Sequence, residues 1–232
     1  MKIAVIGAME EEVELLRKKM DVHKAEVIAH CEYFIGTLQG KEVVLSKSGI
    51  GKVNAAMATA ILFERYNPDV VVNTGSAGGY NSELKIGDLV ISSEVRHHDV
   101  DVTAFGYKYG QVPQLPEAFK ADASMIEIAE AAARSIEGVQ AVKGLIATGD
   151  TFMSDTDKVE FVRGKFPDIQ AVEMEGAAIA QVAYQFDIPF VIIRSLSDIA
   201  GQKSEISFDK FIEKASVNSA NLVMEMIKGL EK

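Results

Sequence analysis

The sequence predicts an α/β fold, one domain built on a central mixed and twisted β-sheet flanked by helices. Three observations lead there. Short runs rich in Val and Ile alternate with longer stretches of helical period. Several of those runs are apolar on both faces, as strands are when helices cover the sheet on either side. No repeat, low-complexity stretch or polar linker divides the 232 residues, so a single domain over residues 1–232 is expected.

The first run, "KIAVI", reads as a buried strand, and the helix that follows carries Met9, Val13, Leu16 and Met20 on one apolar stripe. "YFIGTL" and "EVVLS" lie close enough for antiparallel, hairpin-like pairing around residues 32–46. A helix over Lys52–Tyr66 leads to the strand "DVVVNT", then to the strand "DLVISS". The longest unpatterned piece is "HHDVDVTAFGYKYGQVPQLPEAF" at 97–119, and a loop of that length in a compact domain usually has a function. Beyond it come a helix over Ala123–Ile136, the strand "VKGLIAT", a helix over Lys158–Lys165 and the strand "QAVEM". A helix over Gly176–Phe186, the strand "FVIIRSL" and a helix over Phe208–Lys228 complete the pattern.

Composition excludes several functions. A net charge of -10 and the absence of any basic run argue against binding to nucleic acid or to an anionic membrane, both of which need clustered Lys and Arg. Cys31 is the only cysteine, which rules out an intrachain disulfide and suits a reducing cytoplasm. The five apolar residues near the N-terminus are too few for a signal peptide, and nothing approaches the roughly 18 needed to span a membrane. A cytoplasmic protein is expected.

Chemistry collects where strands end. Three glutamates, Glu10 to Glu12, follow the first strand, and acidic residues there commonly do no more than complement the helix dipole. With about 100° per residue, Glu11 points away from the apolar stripe, whereas Glu12 lies roughly 70° from its centre and looks inward. The end of a parallel strand is where open α/β sheets build their sites. "NTGSAGG" and "KSGIGKVNAA" are glycine turns, individually read as tight turns without a ligand. "AVEMEGAA" delivers Met174 and Glu175, "IIRSLSD" delivers Arg194, Ser197 and Asp198, and "TGDTFMS" brings Phe152 and Met153. Singly, each polar residue here reads as a helix cap or surface ion pair. Together they place three carboxylates and an arginine at the strand ends of one sheet.

Six segments in register, "IGAMEEEV", "SGIGKVNAA", "NTGSAGG", "DVTAFGYKYGQVP", "AVEMEGAAIA" and "SDIA...SFDKF", make the chain resemble the bacterial 5′-methylthioadenosine/S-adenosylhomocysteine nucleosidases over its whole length. The resemblance implies the nucleoside phosphorylase/hydrolase fold. It implies hydrolysis of the bond between adenine and ribose in methylthioadenosine, S-adenosylhomocysteine and 5′-deoxyadenosine, without cofactor or metal. It assigns Asp198 as general acid, Glu12 as general base and Ser197 as support for the acid. Met174 and Glu175 match the ribose-binding pair, with Arg194 beside them; Phe152 matches the residue that stacks on adenine, and the Met153 backbone reads the purine edge. Ser76 and Gly78 approach the nucleoside. Met9, Ile50 and Phe208 match the apolar wall around ribose and the 5′ substituent, while Phe105 and Pro113 are expected from the second subunit of a homodimer. The chain departs from the family pattern at Gly176, where alanine is commoner, at Met153, usually isoleucine, and at Leu196, often smaller.

The chemistry suits these roles. Adenine leaves poorly as an anion, so an acid with a pKa raised by burial must protonate it. A second carboxylate then activates water on the other face, as in inverting glycosidases. A phosphorylase of the same fold is the nearest rival, but the loop after the first strand holds carboxylates and no arginine, and would repel a bound phosphate. A non-catalytic nucleoside or dinucleotide sensor is the other, but "GAMEEE" lacks G-x-G-x-x-G. In "RHHDVD", His97, Asp99 and Asp101 would share a face as metal ligands if extended; an ordinary polar strand is the favoured reading.

Overall fold

The computed structural model describes residues 1–202 and 204–231. Strand β1 (Lys2–Gly7) leads into helix α1 (Glu10–Lys19), then a three-stranded ribbon, β2 (Asp21–Ile28), β3 (Cys31–Leu38) and β4 (Lys41–Lys47). Helix α2 (Lys52–Tyr66) and strands β5 (Val70–Gly79) and β6 (Leu89–His97) follow. The long loop holds a 3-10 turn (Thr103–Phe105) and the two-residue strand β7 (Phe119–Lys120). Then come α3 (Ala123–Ala133), β8 (Ala141–Thr148), α4 (Thr156–Lys165), β9 (Ile169–Glu173), α5 (Gly176–Gln185), β10 (Phe190–Ile199) and α6 (Ser204–Gly229).

The strands make one mixed sheet in the order β10-β6-β8-β9-β5-β1-β4-β3-β2. β10 also pairs in parallel with β5, so β5, β10, β6, β8 and β9 close into a ring while β1, β4, β3 and β2 extend from it. Alternation within each strand feeds two cores. In β1, Ala4 and Ile6 face α2 and α5, joining Ala58, Leu62 and Ile179. Ile3 and Val5 face α1, α3 and α6, joining Leu16, Met125 and Val223. Burying each such aliphatic side chain is worth about 1.5–3 kcal/mol, and with both faces covered the central strands are pinned in register. A third cluster packs α4 (Val159, Val162) on Leu145 and Val172 at one side of the ring.

The fold class and the antiparallel pairing of β3 with β4 agree with the sequence reading. β2 was not expected: most of its residues are exposed, its pattern is broken by a bulge between Val22 and Lys24, and it is polar. The closing helix begins at Ser204, four residues earlier than its apolar period indicates.

Candidate functional site

A cavity of about 350 Å³ opens where β1, β5, β8, β9 and β10 end. Its wall brings together Met9, Glu12, Ile50, Ser76, Gly78, Phe152, Met153, Met174, Glu175, Ser197, Asp198 and Phe208.

Glu12 sits at the third position of α1 and is 4% exposed, while Glu11 faces solvent and Glu10 pairs with Arg17 and Lys47. Its carboxylate turns back across the strand end. One oxygen accepts from the amides of Ala8 (2.8 Å) and Met9 (3.3 Å), the other from the Ser76 amide (2.9 Å) and hydroxyl (3.2 Å). Gly75 makes this approach possible, since a Cβ there would lie 2.6 Å from Glu12 Oε1 and 2.8 Å from Arg194 Nη1.

Glu173 ends β9 and Glu175 caps α5. Burial pushes the Glu173 carboxyl up, but the Arg194 guanidinium, the Thr148 hydroxyl and the Glu175 amide outweigh it and hold the pKa below the usual carboxylate value. Burial and then the neighbouring Glu173 charge push Glu175 up to about 8; one of its oxygens accepts from the Gly51 amide at 2.8 Å. Arg194, expected beside the ribose-binding pair, stands next to Glu175 but does not itself line the cavity. It is 1% exposed and lies beneath the floor, donating to Glu173 and to Asn73 (2.6 Å), with Glu175 at 3.7 Å. The reason is electrostatic: buried carboxylates need a cation among them.

At the opposite end, β10 slips register against β5 between Leu196 and Asp198, and such a bulge re-aims the side chain that follows it. Asp198 is 3% exposed and accepts from the Ser197 hydroxyl at 2.9 Å. Burial, reinforced by the charge of Glu205, pushes its carboxyl above the usual range. Nearby, Phe152 and Phe208 meet edge to face, their centroids 5.8 Å apart.

Phe105 and Pro113 do not line the cavity of their own chain, and Phe105 is 80% exposed. Other parts of that loop fold back: the Tyr109 hydroxyl donates to His98 O at 2.8 Å, its ring packs on Phe161 and Phe166, and Phe119 is buried. His97 and Asp99 diverge, His97 to Gln181 and Asp99 to Lys52. Among the described residues no group of three or more His, Cys, Asp or Glu is placed to hold a metal. Sequence reasoning missed Glu173, Thr151, Glu205 and Asp209, which also line the cavity. Glu173 carried the signal that singled out Glu12, a carboxylate at a strand end.

A mixed sheet with its acids at converging strand ends defines a class, and the comparisons agree. The model of the phosphorylase superfamily matches residues 2–228. The 5′-methylthioadenosine/S-adenosylhomocysteine nucleosidase of Bacillus licheniformis is 65% identical over 228 residues, 98% of this chain and 99% of that one. That of Bacillus subtilis is 60% identical over the same shares. The crystal structure of the Neisseria meningitidis nucleosidase in complex with methylthio-immucillin-A superposes with a TM-score of 0.97 at 53% identity, covering 99% of each chain. The Colwellia psychrerythraea nucleosidase in complex with adenine gives 0.96 at 52% identity, covering 98% of this chain and 94% of that one. The chain belongs to the phosphorylase superfamily and, within it, to the 5′-methylthioadenosine/S-adenosylhomocysteine nucleosidase family. Among the described residues no helix is long and apolar enough to cross a membrane.

Proposed function

We infer that the chain hydrolyses the N-glycosidic bond of 5′-methylthioadenosine and S-adenosylhomocysteine, and by the same chemistry that of 5′-deoxyadenosine, releasing adenine and the 5′-substituted ribose. The observation that carries this reading is the pairing of two buried carboxyl groups in unlike surroundings within one cavity. Asp198, its proton held by burial, protonates the five-membered ring of adenine as the bond to ribose breaks. Ser197 fixes the orientation of the acid. Positive charge developing on the sugar is met by the carboxylates at the other end, where Glu12 takes a proton from the attacking water. Ser76, which donates to Glu12, holds that base in place.

Glu175 and Met174 bind the ribose hydroxyls, and Arg194 positions Glu173 and Glu175 from below. Phe152 stacks on the adenine, the Met153 backbone reads its edge and Gly78 gives the nucleoside close access to the strand. Met9, Ile50 and Phe208 enclose ribose and the 5′ group. The protein works in the cytoplasm as a homodimer, with Phe105 and Pro113 of each subunit closing the 5′ pocket of the other. The Phe105 ring, 80% exposed, and the apolar side chains of Ile50 and Val53, left half and largely exposed, support a covered face. Light scattering at assay concentration tests the assembly, and Phe105→Ala should weaken activity on 5′-alkylthio substrates.

Incubation with methylthioadenosine, with and without phosphate, tests the reaction. Adenine and methylthioribose are expected without phosphate; a sugar 1-phosphate formed only with phosphate would make the chain a phosphorylase, and binding without turnover a sensor.

A further inference from the structure

Three segments far apart in sequence are tied together at one rim of the cavity. Lys52 Nζ donates to Asp99 Oδ1 at 2.6 Å, the Asp150 amide donates to Asp99 Oδ2 at 3.0 Å, and the Lys52 amide donates to Asp150 Oδ1 at 2.8 Å. The clasp joins the loop after β6, the loop after β8 and the first residue of α2. Gly51, next to Lys52, turns with φ +94°, and a Cβ there would lie 3.0 Å from Asp150 Oδ1. That turn aims the Gly51 amide at Glu175 Oε1, 2.8 Å away. Side chains with 21% and 26% exposure make the Lys52–Asp99 pair partly buried, in a setting where it is screened less than a surface pair.

We propose that Asp99, Lys52 and Asp150 are positioning residues that act through the Gly51 amide to hold Glu175 for the sugar hydroxyls. The inference rests on the reading of Glu175 as the ribose acceptor. Glu175 stands at the start of α5, directly against the start of α2, where the Gly51 amide meets it. Its second oxygen stands 3.7 Å from the Arg194 guanidinium, beyond hydrogen-bond distance, and so keeps acceptor capacity for a ligand. A fixed carboxyl group selects for ribosides: an analogue lacking a hydroxyl leaves it with an unmade bond. The clasp also spans from Ile50 to Phe152, so loosening it relaxes both walls while leaving Asp198 and Glu12, on other strand ends, in place.

The test is steady-state kinetics of Asp99→Ala, Lys52→Met and the double variant on methylthioadenosine and its 2′-deoxy and 3′-deoxy analogues, with Glu175→Gln in parallel. Loss of a hydrogen-bonded charge pair should raise KM about tenfold while kcat changes by less than about threefold, the pattern of lost binding shared by ground and transition states. Preference for the riboside should fall, and the double variant should be no worse than the worse single one. A merely structural clasp would lower the active fraction and leave that preference untouched, which would overturn the proposal. So would independent, additive losses. If Glu175→Gln lowers the preference and the clasp variants do not, the clasp alone is wrong; if Glu175→Gln leaves it unchanged, the ribose reading fails and the clasp with it. Should Asp99→Ala not fold, Lys52→Met carries the test, since Asp99 keeps 26% of its side chain in water.

Discussion

The two ends of the cavity hold carboxyl groups of equal burial, Glu12 at 4% and Asp198 at 3% exposure, and treat them in opposite ways. Around Glu12 the chain supplies donors: three backbone amides, a serine hydroxyl and, one layer down, the Arg194 guanidinium among the acidic side chains. Around Asp198 it supplies the hydroxyls of Ser197 and Ser204, against a further negative charge at Glu205. Burial alone therefore does not set the role of an acid; the count of donors aimed at it does. One cavity thus carries a donor-rich carboxyl group at one wall and, at the other, a carboxyl group whose protonated form burial favours.

Removing the cation should disturb this contrast most. Arg194→Met leaves Glu173 and Glu175 buried without their partner, and breaking a buried pair in this way costs about 3–5 kcal/mol; chemical denaturation should show a loss of that order. Next come the two acids. Asp198→Asn and Glu12→Gln should each reduce turnover by at least ~10² with the fold intact, while Glu10→Gln, whose side chain pairs with Arg17 and Lys47 on the outer face, should stay near normal. A crippled Glu10→Gln would erase the distinction between the glutamates.

The pH dependence sharpens the comparison further. Asp198 must carry its proton, so kcat/KM should fall as pH rises through its raised pKa and recover below it. Stability runs the same way. A carboxyl whose folded pKa lies above its unfolded value of about 4 favours the folded state at low pH and loses that contribution as pH rises through the folded pKa. For Glu175 this window runs from its unfolded value, about 4.3, up to about 8. Glu175→Gln should remove the decline, so its melting temperature should gain on that of the parent between pH 5 and 8. An unchanged difference across that range would mean that Arg194 satisfies both glutamates equally.

Much of this was legible in the sequence, and for definite reasons. The stripe of Met9, Val13, Leu16 and Met20 fixed which face of α1 turns inward, and Glu12 lies on the cavity side as that geometry requires. Both-faced apolar strands announced a covered sheet. What periodicity cannot encode is which strands become neighbours. Closure of the ring depends on β10 pairing with both β5 and β6, a relation between residues about 100 positions apart that leaves no local pattern. Glu173 was passed over because its neighbours Met174 and Glu175 absorbed the chemistry of the strand end. Arg194 was placed among the binding residues by the family resemblance alone, and no local pattern shows that the buried acids hold it below the floor.

The closed ring has a consequence for how these molecules meet one another. A sheet with free edges invites further strands to add to it, the route to fibres and uncontrolled association. Five strands here pair on both sides within the ring, leaving the ribbon end at β2 as the long open edge. That edge is guarded: Asp21, Lys24 and Glu26 line it, a bulge at His23 bends it, and Glu26 is engaged by Lys24, Arg65 and Tyr66. Strand-by-strand growth is thereby discouraged, and any ordered contact between copies is left to helices and loops, surfaces whose shape limits the number of partners and lets assembly stop.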